Sequence, residues 1–225
     1  MSAGSRSLDN QSPEIFGQTP WQTVGPFFHY ALPWKGGADL VGHADMGARP
    51  DLFPPEHDLL NVSRPRGSVA GEVIEIIGRV LDGDGAAIPD AMIEIWQANA
   101  SGRYASPDDP RGDLPLDPGF VGFGRSSTGA DGEYRFRTIM PGRVPGPGNS
   151  LQAPHIAVGL FGRGLLKRLT TRLYFEDGVG SDEDPILALV PEARRSTLVA
   201  RRDGEGAYRF DIVVRGDGET VFFDI

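Results

Sequence analysis

The chain has 225 residues, 39% of them hydrophobic, enough to bury a sizeable core in one unit. Its formal net charge of −9 argues against nucleic acid or an anionic membrane as partner, since both call for a basic patch, and leaves an anionic substrate dependent on local cations. The absence of cysteine excludes disulfides, thiolate metal sites and a cysteine nucleophile.

Residues 1–70 are rich in proline and glycine and show little periodicity, as in "TVGPFFHYALPWKGG" and "RPDLFPPEHDLLNVSRPRG". They are expected to form an extended N-terminal arm that packs on a partner chain. An arm without a core of its own is costly to order unless it buries apolar residues such as Trp21, Phe27, Phe28 and Trp34. The opening "MSAGSRSLDNQSPEIF" lacks the apolar stretch of a signal peptide. The longest apolar region, "IAVGLFGRGLLKRL", is interrupted by Arg163 and Lys167 and is too short for a membrane span. A cytoplasmic protein is expected.

From residue 71 to 225 short strands alternate with turn signals. "EVIEIIGRVL" ends in "DGDG", "AMIEIWQA" follows, and "YRFRTIM" comes after the turn "GADGE". "HIAVGLFG", "TRLYFED", "STLVARR", "YRFDIVV" and "TVFFDI" complete the series. One convincing helix start occurs, in "DEDPILALV", with Asp184 as cap and Pro185 in the first turn. The pattern predicts an all-β chain, an antiparallel β-sandwich with few short helices.

Two generic metal motifs fail on inspection. "DGDGAA" begins like a calcium loop, but its twelfth position is Ile93 where glutamate is needed, so it reads as a hairpin turn. His43-x-Asp45 could begin a two-histidine, one-carboxylate iron site, yet its surroundings are loop-like. The stretch "QAPHIAVGL" is more pointed. Side chains two apart on a strand share a face, so a histidine at 157 would give a metal two imidazoles beside His155; Ala157 stands there instead. From the residues alone His155 is a remnant of a metal site, a catalytic residue of another kind, or an ordinary strand histidine.

Three longer phrases, "GRVLDGDGAAIPDAMIEIWQANASGRY", "LDPGFVGFGRSSTGADGEYRFRTIMPG" and "APHIAVGLFGRGLLKRLTTRLYF", resemble the intradiol ring-cleaving dioxygenases in order and spacing. Within that family the likeness is greatest to the protocatechuate 3,4-dioxygenases. The arm phrase "TPWQTVGPFF" and the C-terminal "YRFDIVVRGDGETVFFDI" extend it over nearly the whole chain.

The resemblance implies a ferric ion, Fe(III), held in catalytic chains by two tyrosinates and two histidines. The first tyrosine position is Tyr104; the second, after the "FRTI" strand, is Val144. The histidine positions are His155 and Ala157, and the family's arginine just before that strand aligns with Gln152. Valine and alanine offer no lone pair, so this chain is expected to hold no metal, with Tyr104 and His155 as relict ligand positions and no catalytic residue of its own.

The resemblance further implies an iron-bearing β subunit as partner, in a larger hetero-oligomer that acts on protocatechuate and O2. The present chain looks like the ligand-deficient α type, inactive alone, whose Thr23, Gly25, Pro26 and Arg163 would line the substrate side of the partner's site. Physically, a Thr-x-Gly-Pro turn offers backbone groups on a stiff frame, and an arginine between glycines can take a carboxylate through two parallel hydrogen bonds. Trp96 and Tyr134 read as core or interface aromatics. Two other classes remain open: a stand-alone enzyme with an unconventional iron site, and a non-catalytic binding or structural sandwich, since "G-x-V-x-D-x-x-G" is similar to transthyretin-like modules.

Overall fold

The computed structural model describes residues 22–28, 37–41 and 69–224. Eleven strands are formed there: β1 (Val73–Leu81), β2 (Met92–Trp96), β3 (Phe123–Ser127), β4 (Glu133–Ile139), β5 (Val144–Pro145), β6 (Leu151–Gln152), β7 (His155–Phe161), β8 (Leu169–Phe175), β9 (Val199–Arg202), β10 (Ala207–Arg209) and β11 (Ile212–Val213). They are short and alternate buried with exposed positions, as a half-buried strand must. Ile74, Ile76 and Val80 of β1, Ile93 and Ile95 of β2, and Ile156, Val158 and Leu160 of β7 all point into one core.

Two layers enclose that core. On one side β4, β1, β10 and β9 lie side by side; on the other run β3, β2, β7 and β8, and β9 joins the two. β9 pairs with β8 through Val199 and Ala200 and with β10 through Arg201 and Arg202, so the sheet wraps around almost to closure. The expected all-β class holds, and the long pairs β1–β4, β2–β3, β2–β7 and β7–β8 are antiparallel. β1 is parallel to both β10 and β11, and β8 is parallel to β9. A parallel partner needs a long crossover, and residues 176–198 between β8 and β9 supply one.

That crossover contains the expected helix start, in reduced form. The Asp184 carboxylate accepts the backbone N–H groups of Ile186 and Leu187, as a cap should. Only a single 3-10 turn follows, Leu187–Leu189, before Pro191 removes the next donor; a four-residue helix, α1 (Glu192–Arg195), comes after it. "DGDG" is a turn, with the Asp82 side chain accepting from the N–H groups of Asp84 and Ala86. His43 and Asp45 lie outside the described residues.

Two close contacts depend on glycine. A Cβ on Gly78 would fall 1.8 Å from the carbonyl oxygen of Phe210, which instead accepts the Tyr134 hydroxyl at 2.6 Å. A Cβ on Gly124 would fall 2.5 Å from Leu40, which fills that space. Leu40 belongs to the segment 37–41, from the stretch expected to lie on a partner. It packs on this chain's own sandwich: Arg125 N–H donates to Gly37, Arg137 N–H to Ala38, and Leu40 N–H to Arg137. The segment thereby spans from β3 to β4 and covers the seam opposite β9.

Leu40→Ala should accordingly destabilise the sandwich by about 2–5 kcal/mol, the usual range for a buried leucine truncated in a core. Urea unfolding of the two proteins measures this; an unchanged midpoint would mean that the seam is not held from within.

Candidate functional site

Of the four positions that the resemblance implies as ligands, His155 and Ala157 lie on the outer face of β7. Its odd-numbered residues, His155 and Ala157, face away from the core filled by Ile156 and Val158. In register, Ala157 stands opposite Trp96 of β2 and Arg172 of β8, and His155 opposite Tyr174. After β2 the chain turns on Asn99, whose side-chain oxygen accepts from the N–H groups of Ser101 and Arg103. Gly102 has φ of +80°, and a Cβ there would fall 2.0 Å from the carbonyl oxygen of Arg143. The turn brings Tyr104 back over Trp96, with the two rings stacked at 5.7 Å and 6° apart in plane.

Tyr104, Val144, Gln152 and His155 line a single cavity of about 440 Å3 together with Trp96, Pro145, Asp109, Arg111 and Arg172. Ala157 lines a smaller adjoining cavity of about 240 Å3, which also touches Trp96. Three of the four positions implied by the resemblance are thus neighbours in space, and the fourth is one step along the same strand face.

The chemistry of this donor set does not fit ferric iron. Burial holds the Tyr104 phenol above its ordinary range, against the opposing fields of Arg172 and Arg111, so without a metal it is a neutral hydroxyl. His155 is pushed down to about 4, chiefly by burial and then by the charge of Arg172. Its Nδ1–H donates to the carbonyl oxygen of Ala153 at 2.8 Å, which leaves Nε2 as the bare acceptor. Arg111 holds the Asp109 carboxyl well below the usual carboxylate range, and the pair cancels in charge. Val144 and Ala157 offer nothing to a metal. Arg172 brings a guanidinium into the cavity, donating to the Gln152 side-chain oxygen at 2.5 Å and the Tyr174 hydroxyl at 3.4 Å. A fixed cation beside two neutral donors repels a second cation.

The other expected site residues lie at the β7–β8 hairpin. Gly164 N–H donates to the Thr23 hydroxyl at 2.9 Å, so the arm turn rests on the loop that carries Arg163. Gly25 and Pro26 form that turn, closed by Phe28 N–H donating to Gly25 at 3.1 Å. Arg163 Nε is ion-paired with Asp90, while its side chain is 52% exposed. Arg163 also edges a cavity of about 290 Å3 with Val80, Leu160, Leu165 and Val214. Tyr134 is in the core as expected, whereas Trp96 is a cavity residue.

Comparison with known proteins places the fold and the site in context. A family model described as "Dioxygenase" matches residues 52–216. The chain is 42% identical over 217 residues to the protocatechuate 3,4-dioxygenase alpha chain of Burkholderia cepacia, covering 92% of this chain and 98% of that one. To the beta chain of the same enzyme it is 41% identical over 187 residues, covering 79% of each. Among solved structures, the dioxygenase domain of a carbohydrate-binding fusion from Streptomyces sp. SirexAA-E superposes with a TM-score of 0.52 at 26% identity, over 88% of this chain and 98% of that domain.

The low value at His155 sets a pH dependence. The unfolded chain takes up this proton near 6.5 and the folded chain only near 4, so the contribution is intact above pH 6.5 and declines between those two values. The loss is bounded at roughly 3 kcal/mol. His155→Gln, which cannot titrate, should lose less stability than wild type between pH 7 and pH 4.5. Parallel urea curves for the two proteins would rule this out.

Proposed function

The chain belongs to the intradiol dioxygenase family, and from that premise we propose that it is the alpha-type subunit of a protocatechuate 3,4-dioxygenase. In this reading the iron sits in a homologous beta subunit, and the present chain completes that subunit's site for the O2-dependent cleavage of protocatechuate to 3-carboxy-cis,cis-muconate. One observation carries it: the cavity that gathers Tyr104 and His155 has lost its other donors at Val144 and Ala157 and holds Arg172 beside them. The near-complete coverage of an alpha chain supports the same assignment. An independent iron enzyme would have to bind its metal against that guanidinium with two neutral donors.

The substrate-facing part is then the Arg163 loop with Thr23, Gly25 and Pro26. Support comes from the Gly164–Thr23 hydrogen bond, which makes the arm turn and the loop one surface. Phe27 and Leu166, 75% and 61% exposed, sit close in sequence to either side of it and suit burial against a partner chain. Asp90 engages Arg163 through Nε, which leaves the two terminal nitrogens for a substrate carboxylate. The rest of the arm, residues 1–70 apart from segment 37–41, is assigned to the partner surface on the same reading.

Purified alone, the chain should lack stoichiometric iron and the visible tyrosinate-to-iron absorption; co-expressed with an iron-bearing homologue it should co-purify as an active complex. Metal analysis and a visible spectrum decide this, and an iron-loaded, active single chain would overturn it. In the complex, Arg163→Ala should lower kcat/KM for protocatechuate by roughly 10- to 150-fold, the worth of one charged hydrogen bond. Catechol, which lacks the carboxylate, should lose much less, and the iron spectrum should stay as it was. Equal losses for both substrates would make Arg163 a structural residue.

A further inference from the structure

We propose that the cavity between Trp96, Tyr104 and Arg172 is an anion site that binds a small aromatic carboxylate in this chain itself. Five donors are available on a guanidinium, and both hydrogen bonds that Arg172 makes use the one nitrogen Nη1. Its Nε and Nη2 edge is the one that takes a carboxylate through two parallel bonds. Among the described residues no carboxylate pairs with Arg172, in contrast to Arg111 with Asp109, Arg163 with Asp90 and Arg143 with Glu183. The Tyr104 hydroxyl likewise has no hydrogen-bond partner among them and adds a neutral donor at the same cavity.

The remaining walls select the body of the ligand. The stacked Trp96 and Tyr104 rings and the apolar Val144 and Pro145 offer planar and apolar surface, while about 440 Å3 suits a molecule of roughly one ring. Asp109 does not oppose an anion, because Arg111 neutralises it. Asp108 at the rim carries the opposing charge, but it is exposed and screened by solvent. The inference rests on the cavity alone and stands whether or not a partner subunit exists.

The test is calorimetric titration of the full-length chain with benzoate and, separately, with benzyl alcohol, its neutral counterpart. Benzoate should bind roughly 10- to 150-fold more tightly than benzyl alcohol to the wild-type chain, a comparison that needs no variant to fold. Arg172→Gln should remove that difference while retaining the wild-type melting transition. Arg163→Ala should leave the difference intact, which separates this site from the hairpin loop. Val144→Phe should fill the cavity and weaken both ligands. Equal binding of the two ligands by wild type, no binding of either, or loss of discrimination in Arg163→Ala and not in Arg172→Gln would each overturn the proposal.

Discussion

The wholly buried carboxylate of Asp184 accepts backbone N–H groups from Ala153, Ile186 and Leu187 and the hydroxyl of Tyr174. A buried carboxylate is tolerable only when its oxygens are satisfied in this way, and meeting that demand ties the crossover to Ala153, two residues before β7. Ala153 is thereby held with its carbonyl toward His155, which fixes the imidazole ring and its tautomer. Tyr174, His155's cross-strand neighbour, is clamped by the same carboxylate. The pocket wall is rigid because one charge that must be solvated from within anchors both strands that form it.

The expectation of a broken ligand set at Tyr104, Val144, His155 and Ala157 comes from the resemblance; strand alternation alone makes legible only that positions 155 and 157 share a face. Arg172 was not readable in the same way. Nothing in "TTRLYF" marks its arginine except alternation, and only the pairing of β7 with β8 sets it opposite Ala157. Trp96 was missed for a related reason. Read as a core or interface aromatic, it follows the core residues Ile93 and Ile95 in sequence, yet period-two alternation puts its ring on the opposite face. The parallel pairings of β1 with β10 and of β8 with β9 depend on where a long crossover lands, which local propensity does not encode.

The arm illustrates how low periodicity can hide two different roles. Gly37 to Val41 uses backbone hydrogen bonds and one leucine to cover an open seam between β3 and β4. Such a segment needs no strand pattern, since its partners are edge groups that would otherwise lack donors and acceptors. The turn at Gly25 and Pro26 does nothing for the seam; it rests on Gly164 beside Arg163. One stretch of chain therefore serves both the core and the exposed hairpin.

The charge balance of the pocket is set by the Arg172 guanidinium. Gln152 stands just ahead of β7, and Arg172 reaches its side-chain oxygen from β8. Ala157 stands directly across the ladder from Arg172. Tyr104 and His155 have both become neutral beside it, and Asp109 is cancelled by Arg111. A single fixed cation here faces uncharged partners, so the pocket's unmet electrostatic demand is for an anion.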